Sequence, residues 1–398
     1  MLLRSLMERA ESLEGVQVSG LLPDYGWFDP SVRRHISQDG MFGLPGVREA
    51  INDGAIDYTP WWIWGGHKAL DEHRPEARPV DVIFLSVRPP NESGFCCIGR
   101  SIWDAPTTAR RAKLVVAAIS ESIPRTYGDT WIHVSEIDWF VRQTEPAVSP
   151  PVAPPEPWDQ PIAEYVGSLV KDGDTLQIGT GAATGHIPRS GALDGKHDLA
   201  YFAELTVNGT IDLARRGIIT GRYLAAHPGK FVTATAGNSE EDVAFIDNNP
   251  MFEFYPVEYM HHPGVIGRND NMVAINQALT VDLTGQIGAG TIGPKVWCGT
   301  GGHFAYAMGA FLSRGGRYIC VLPSTAVGGS QSRIVPEFPP GQIVTVPRDI
   351  ADIVVTEYGI ARLLNQTVRK RAEALIAIAH PDFRAELRRQ ASKALAAW

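Results

Sequence analysis

The stretch TLQIGTGAATG, residues 175–185, decides the predicted fold. Its apolar start, Thr175–Ile178, is typical of a buried strand, and the glycines that follow predict a tight turn into a helix. Glycines in such a turn let backbone N–H groups approach a phosphate or an oxyanion at the start of the helix. A turn that binds no ligand would carry the same pattern, so both interpretations stay open at this point.

A second predicted strand, Leu199–Ala203, ends in Glu204. Parallel α/β sheets bind ligands at the carboxyl ends of their strands. A carboxylate placed there can hold the ribose hydroxyl of a dinucleotide or act as a nucleophile. A helix cap or a surface acid is the alternative. The sequence therefore makes Glu204 a candidate site residue with more than one possible role.

Strands and helices alternate on both sides of this stretch. In the first half of the chain, residues 80–85 and 113–119 are short apolar runs that predict buried strands. Residues 163–169 predict a helix just before the quoted stretch. This alternation predicts an α/β fold with two tandem open α/β domains and mostly parallel sheets.

Between the two units lies EPAVSPPVAPPEPWDQP, residues 145–161, which contains seven prolines. Proline has no N–H for a strand ladder and holds the backbone extended. We therefore predict an N-terminal domain over 1–145, a proline-rich linker over 146–161 and a C-terminal domain over 162–398. A chain of 398 residues is long enough for two such domains.

The composition excludes several classes of protein. A net charge of −8 gives no basic surface for nucleic acid or an anionic membrane. No apolar run approaches the length of about 18 residues that indicates a membrane span, and the first residues have the spacing of an amphipathic helix. The four cysteines form no C-x-x-C pair, which favours a reducing compartment. We expect a cytoplasmic protein without a metal site, a nucleic-acid partner or a membrane partner.

Two further loops are candidate ligand sites. Cys298–His303 is rich in glycine and could present paired backbone amides to a developing oxyanion. Ser324–Gly329 follows a predicted strand and has a similar composition. A plain glycine loop is the alternative interpretation for each of them.

Other patterns in the sequence carry no clear chemistry. We find no G-x-S-x-G elbow and no Walker loop. The histidines His261 and His262 are adjacent, so they cannot share a helix face as a metalloprotease pair does. The tryptophans Trp61, Trp62 and Trp64 are more typical of a core or a pocket wall than of a nucleic-acid platform.

Specific motifs lie along most of residues 80 to 390. They are PPNESGF (89–95), YGDT (127–130), HVSEID (133–138), the glycine loop with Glu204, DLTGQ (282–286), LPSTA (322–326), VVTEYG (354–359) and IAHPDF (378–383). With these motifs the sequence resembles the acetyl-CoA hydrolase/transferase family, the class I CoA-transferases close to 4-hydroxybutyrate CoA-transferase. The last two motifs are far more specific than any glycine pattern.

The resemblance outweighs the dinucleotide interpretation and implies two α/β domains with the active site in the cleft between them. It implies that Glu204 forms a glutamyl-CoA thioester and that the amides near Gly301 and Gly302 hold the oxyanion. Coenzyme A is then a substrate, and no tightly bound cofactor is expected. By matching position, the residues that contact CoA would be Gly179, Thr180, Gly181, Ala182, Ala183, Gly302 and Ser324.

The implied function is the transfer of CoA between an acyl-CoA and a small carboxylic acid, in a homodimer. The alternatives are an acyl-CoA hydrolase, an acyltransferase with another acceptor, and a non-catalytic CoA-binding subunit. The presence of Glu204 at the position of the nucleophile argues against the non-catalytic subunit. The sequence departs from the family at Leu205–Gly209 and at Gly301–Tyr306, and a further strand and helix before the segment matching Leu2–Glu11 are not found. These departures predict an unusual acyl pocket or acceptor.

Overall fold

The first half of the chain forms small sheets of two or three strands. The computed structural model describes residues 2–20, 26–143 and 154–394. The strands of the first half are β1 (Val16–Gly20), β2 (Ile36–Gly40), β3 (Asp57–Tyr58), β4 (Val82–Val87), β5 (Phe95–Cys97), β6 (Leu114–Ile119), β7 (Tyr127–Gly128), β8 (Trp131–His133) and β9 (Trp139–Arg142). The sheets β1-β2-β3 and β4-β6-β9 are parallel, whereas β5 and β8 are antiparallel.

The second half contributes most of one large sheet. Its strands are β10 (Thr175–Ile178), β11 (Ala200–Leu205), β12 (Phe231–Thr235), β13 (Phe252–Phe254), β14 (Met272–Gln277), β15 (Thr280–Asp282), β16 (Ile287–Gly288), β17 (Thr291–Ile292), β18 (Lys295–Val296), β19 (Arg317–Val321), β20 (Thr325–Ala326), β21 (Gln331–Ser332), β22 (Ile334–Val335), β23 (Ile353–Thr356) and β24 (Gly359–Arg362). Short sheets β16-β15-β22, β17-β18 and β20-β21 lie beside the large one.

The large sheet has nine strands in the order β24-β23-β19-β14-β10-β11-β12-β13-β7. Every neighbouring pair is parallel except β23 and β24. The edge strand β7 belongs to the first half of the chain, so the two halves share this sheet. The predicted α/β class with mostly parallel sheets is confirmed.

Helices cover and flank the sheets. They are α1 (Leu2–Glu8), α2 (Pro30–Arg33), α3 (Val47–Asn52), α4 (Lys68–Asp71), α5 (Ala105–Ala109), α6 (Asp159–Leu169), α7 (Ala182–His186), α8 (Thr210–Arg215), α9 (Glu240–Ile246), α10 (Val257–Met260), α11 (Pro263–Ile266), α12 (His303–Leu312), α13 (Val368–Ile378) and α14 (Pro381–Ala394). Short 3-10 turns add Ala10–Ser12, Ile63–Gly65, Val134–Glu136 and Ile187–Arg189. Across the described residues, no helix is both long and apolar enough to cross a membrane.

The predicted elements around the glycine stretch are confirmed with small shifts. The strand Thr175–Ile178 has the predicted bounds. The next strand runs to Leu205, beyond the predicted end at residue 203, because Leu205 pairs with Thr235 of β12. Glu204 therefore lies between two residues of β11 that pair with β12, Ala203 and Leu205, and the sheet fixes its backbone.

The predicted linker coincides only partly with irregular chain. Residues 146–153 of it lie outside the described residues. Helix α6 begins at Asp159, inside the predicted linker, and Pro161 occupies its first turn, where a missing N–H breaks no helical hydrogen bond. The division into domains at residues 146–161 stays a prediction.

Buried apolar side chains pack on both faces of the large sheet. One cluster combines Val87 and Val115 of the first half with Ile162 of the second, so the core is continuous between the halves. Alternate residues of a strand point to opposite faces, and Phe202 of β11 belongs to the cluster on the other face. Glu204 has the same parity as Phe202 and lies on that second face.

Candidate active site

Glu204 lies near the carboxyl end of β11, in the interior of the large sheet between β10 and β12. Ligands of parallel sheets bind at this edge. The side chain is 18% exposed. Its backbone carbonyl accepts a hydrogen bond from the hydroxyl of Thr233 at 3.2 Å, which fixes the strand end. A partly exposed carboxylate on a rigid strand is suited to act as a nucleophile.

His261 contacts this carboxylate. It follows helix α10, its side chain is fully buried, and its Nε2 lies 2.6 Å from Oε2 of Glu204. Its Nδ1 lies 3.0 Å from the backbone carbonyl oxygen of Val257. The ring edge also packs against the buried ring of Tyr306, with 5.5 Å between the ring centroids. The imidazole is therefore held in one orientation toward Glu204.

The two ring nitrogens of His261 have different partners. A carbonyl oxygen only accepts, so Nδ1 donates to Val257. The other nitrogen, Nε2, lies at hydrogen-bond distance from a carboxylate oxygen of Glu204.

Sequence reasoning did not find His261, because it considered the two histidines only as a metal pair. The contact joins residues 57 positions apart and forms because α10 packs against β11. No periodicity or spacing marks such a contact.

Gly302, in the loop before α12, lies close to the side chains of both Glu204 and His261. A Cβ added at this residue would lie 2.4 Å from Nε2 of His261 and 2.8 Å from Oε2 of Glu204, so a side chain does not fit. Gly302 is also the N-cap of the ten-residue helix α12, where the first N–H groups have no acceptor within the helix. The preceding Gly301 has a φ of +56°, which favours glycine. The backbone of this loop therefore lies close to Glu204 and His261.

A cavity of about 430 Å³ opens onto Glu204 and Gly302. Both halves of the chain contribute to its walls. The residues that line it are Met41, Phe42, Leu44, Trp61, Ile63, Trp103, Gln177, Ile178, Gly179, Thr180, Gly181, Glu204, Leu205, Asn276, Gln277, Ala278, Leu279, Ala289, Trp297, Cys298, Gly299, Thr300, Gly301, Gly302 and His303. Small-molecule sites typically have volumes of about 300–1,000 Å³, so this cavity can hold a ligand.

The structure brings together only part of the predicted CoA site. Gly179, Thr180 and Gly181 line the cavity with Gly301 and Gly302. Ala182 and Ala183 form the first turn of α7 behind the loop, and the N–H of Ala183 donates to Oε1 of Gln277 at 2.8 Å. Neither alanine lines the cavity.

Ser324 also lies outside the cavity. It is fully buried. Its N–H and its hydroxyl donate to the two carboxylate oxygens of Glu357, at 2.8 and 2.6 Å. A contact between this serine and CoA would require the pair to separate. Its predicted role in CoA binding stays a prediction.

Three titratable groups beside Glu204 are neutral at pH 7. Burial, with a contribution from the charge of Glu204, raises the pKa of Tyr306 well above its ordinary value. Burial raises the pKa of the Cys298 thiol to about 11 and lowers the pKa of His303 to about 4. In the described part of the chain, no three His, Cys, Asp or Glu side chains cluster as a metal site would require.

Two family models match the chain. The acetyl-CoA hydrolase/transferase N-terminal domain matches residues 4–151, and the acetyl-CoA hydrolase/transferase C-terminal domain matches residues 239–391. The chain belongs to the acetyl-CoA hydrolase/transferase family. The 4-hydroxybutyrate coenzyme A transferase of Clostridium kluyveri is 40% identical over 91% of this chain and 83% of the relative. The succinyl-CoA:cyclohexane-1-carboxylate CoA transferase of Geobacter metallireducens is 37% identical over 96% of this chain and 87% of the relative.

Two solved structures have the same fold as this chain. RipA from Yersinia pestis superimposes with a TM-score of 0.90 at 30% identity, covering 98% of this chain and 90% of that chain. The 4-hydroxybutyrate CoA-transferase of Porphyromonas gingivalis superimposes with a TM-score of 0.79 at 35% identity, covering 98% and 89%. The family predicted from the sequence motifs is confirmed.

Several motifs that carry the family resemblance hold turns. In the motif at 282–286, one carboxylate oxygen of Asp282 accepts the N–H groups of Thr284 and Gln286. In the motif at 89–95, Oδ1 of Asn91 accepts the N–H groups of Ser93 and Phe95. Among the described residues, these two motifs contribute nothing to the cavity lining. These two motifs therefore carry the resemblance to the acetyl-CoA hydrolase/transferase family through residues that stabilise turns and not through residues of the cavity.

Proposed function

We propose that the protein transfers CoA between an acyl-CoA and a carboxylic acid through a thioester on Glu204. The observation that carries this proposal is a strand-end carboxylate at a cavity, hydrogen-bonded to the buried His261, with the backbone of Gly302 close beside both side chains. A nucleophile with hydrogen-bond donors beside it is what acyl transfer requires. The membership in a family of CoA-transferases supports the same reaction.

The reaction runs in balanced steps. An oxygen of Glu204 attacks the thioester carbonyl and expels CoA thiolate, which leaves a mixed anhydride. The thiolate then attacks the glutamyl carbonyl and expels the first acid as its carboxylate, which leaves glutamyl-CoA. A second acid reverses both steps. No water is consumed, so the free energy of the thioester is kept in the product.

His261 assigns different tasks to the two oxygens of Glu204. Oε2 is hydrogen-bonded to Nε2 of His261, which leaves Oε1 as the attacking atom. Oε1 then departs with the first acid, and Oε2 remains as the carbonyl oxygen of the glutamyl thioester. Negative charge develops on Oε2 when CoA attacks, and the N–H of His261 stabilises it at that moment.

The remaining predicted roles follow the same geometry. The amides of Gly301 and Gly302 hold the oxyanion of the acyl group, and Gly179–Gly181 lies against the thiol end of CoA. Both loops line the cavity beside Glu204. Ala182, Ala183 and Ser324, which the family resemblance implies for CoA binding, lie outside this cavity, and Ser324 could contact CoA only after its pair with Glu357 has separated.

We also propose a cytoplasmic homodimer with the domain division at residues 146–161 and the active site between the domains. The lining of the cavity by residues of both halves, such as Trp61 and Gln177, supports the last point. Light scattering of the purified chain tests the dimer, since a monomer mass at micromolar concentration would overturn it. Limited proteolysis tests the division, which predicts first cleavage within residues 146–158.

The experiment that tests the function measures CoA exchange between acetyl-CoA and labelled carboxylic acids, with free thiol release measured in parallel. We expect exchange in the wild type and its loss in Glu204→Gln. The matched control is Glu240→Gln, on the exposed start of α9, which should exchange at the wild-type rate. Thiol release without exchange to any acid would contradict the proposal and indicate a hydrolase.

A further inference from the structure

The cavity has an aromatic side that the proposed chemistry does not use. Trp103 lies on the His261 side of Glu204, because its carbonyl accepts the N–H of Val257 at 2.9 Å and Val257 in turn binds His261. Trp61 and Ile63 belong to the same apolar cluster as Val257. Phe42, Leu44 and Trp297 also line the cavity.

Charge is nearly absent from the cavity wall. Among the described residues that line it, Glu204 is the only acidic side chain, and no lysine or arginine is present. The two other titratable groups of the wall are neutral, since burial raises the pKa of Cys298 to about 11 and lowers the pKa of His303 to about 4. A second negative group on a substrate would meet no cation here.

The arginines behind the wall are already engaged. Arg48 donates from Nε to the carbonyl oxygen of Trp297 at 2.5 Å and lies over the indole ring. Arg333 donates from Nη1 to the carbonyl oxygen of Leu279 at 3.0 Å and from Nε to that of Thr325. Both guanidinium groups bind the backbone that carries the wall, so turning them toward a ligand would break these hydrogen bonds.

An uncharged ring suits such a wall. Indole and phenyl groups bind aromatic or saturated rings through large apolar contact areas and edge-to-face contacts. A carboxylate brought into the same space loses its water and meets no cationic side chain of the wall, which is strongly unfavourable. The wall therefore favours an uncharged, bulky acyl group over a charged one or a small one.

We propose that the aromatic side of the cavity binds the acyl group and selects monocarboxylic acids whose acyl group is an uncharged hydrocarbon ring. This inference rests on the proposed CoA transfer and names its substrate class. The cavity of about 430 Å³ holds this acyl group together with the thiol end of CoA. Dicarboxylic acids and very short acids are the poor acceptors.

Two matched comparisons of acceptors test the inference with propionyl-CoA as donor, whose acid is none of the four acceptors. Butyrate and succinate have four carbons each, but butyrate ends in a methyl group where succinate has a second carboxylate. We expect kcat/KM for butyrate to be at least about a hundredfold higher than kcat/KM for succinate. Benzoate and acetate differ by the ring, and we expect benzoate to be favoured about tenfold or more.

A pair of adjacent tryptophans supplies the matched variants. Trp61→Ala should raise KM for benzoate about tenfold while leaving KM for acetate nearly unchanged. Trp62 does not line the cavity and is 40% exposed, so Trp62→Ala should leave both constants unchanged. Thermal unfolding of both variants shows whether they are folded.

The outcomes separate this inference from the proposed function. Transfer to succinate as fast as to butyrate, or to acetate as fast as to benzoate, would overturn the inference and leave CoA transfer standing. Equal effects of Trp61→Ala on benzoate and acetate would overturn the assignment of the aromatic side. Absence of transfer to every acid would overturn the proposed function and this inference together.

Discussion

The two sides of the cavity are built on opposite principles. On one side, Gly179–Gly181 and Gly299–Gly302 remove side chains so that the backbone reaches the reacting atoms. On the other side, Trp61 and Trp103 line the wall with large apolar side chains. The glycine side comes from the second half of the chain, whereas both of these tryptophans come from the first half.

The difference separates the chemistry from the choice of substrate. Every acyl-CoA offers the same thioester, so the groups that handle it can be fixed backbone amides and one carboxylate. The acyl group varies, and side chains set its pocket because one or two contacts change selectivity about tenfold or more. Changes on the glycine side should therefore reduce turnover of all substrates, and changes on the aromatic side should alter their ranking.

After the loss of the nucleophile in Glu204→Gln, the largest expected effect on turnover is that of Gly302→Val. The added side chain occupies the space between His261 and Glu204, where even a Cβ is too close. We expect exchange to fall about 10³-fold or more for every acid, because the oxyanion donor and the nucleophile are both displaced. The control is Gly195→Ala, where an added Cβ meets nothing within 4 Å. A folded Gly302→Val protein with near wild-type turnover would contradict the role of this side.

His261→Leu is expected to have the next largest effect. It removes the N–H that binds Oε2 of Glu204, and loss of one such donor typically costs about 10²-fold in rate. His261→Asn keeps a side-chain N–H and should lose less. Single-turnover formation of glutamyl-CoA measures the rate, and calorimetry should show unchanged affinity for free CoA in both variants. Equal rates for Leu and Asn would show that the hydrogen bond has no catalytic role.

A smaller effect concerns the helix behind the glycine side. Burial lowers the pKa of His303 to about 4, below its ordinary value of about 6.5, so the folded state binds a proton less readily than the unfolded state. The stability contribution is therefore complete above pH 6.5 and is lost as the pH falls from 6.5 through 4.

This loss amounts to roughly 3 kcal/mol in the free energy of unfolding. Denaturant unfolding of the wild type and of His303→Gln at pH 7.5 and pH 4 measures it. The difference between the free energies of unfolding of the wild type and of His303→Gln should be smaller at pH 4 than at pH 7.5, by about that amount. A constant difference between them at both pH values would show that His303 does not remain neutral in the folded protein.

The sequence predicted the glycine side far better than the aromatic side. The strand Thr175–Ile178, the loop after it and Glu204 on the neighbouring strand follow from local patterns, because parallel strands bring their carboxyl ends to one edge. Trp61 was expected to be core or pocket wall and does line the cavity. Trp103 carried no signal, since its place beside Val257 depends on packing between distant segments.

The most specific motifs were informative about the family and not about the site. Glu357 binds Ser324 in a buried pair, so two of the sequence motifs meet each other outside the cavity. A turn that needs particular side chains leaves a recognisable pattern, because the hydrogen bonds lie within a few residues. The contact of His261 with Glu204 crosses 57 positions, and only the fold reveals it.

The most direct test of the account is the mass of the protein after incubation with acetyl-CoA in the absence of an acceptor acid. Transfer through Glu204 predicts acetate release and a mass increase equal to CoA less one water, on the peptide that contains Glu204. The increase should be absent in Glu204→Gln and should disappear when an acceptor acid is added. Continued CoA exchange with no such adduct, or an adduct on another residue, would contradict the proposed mechanism.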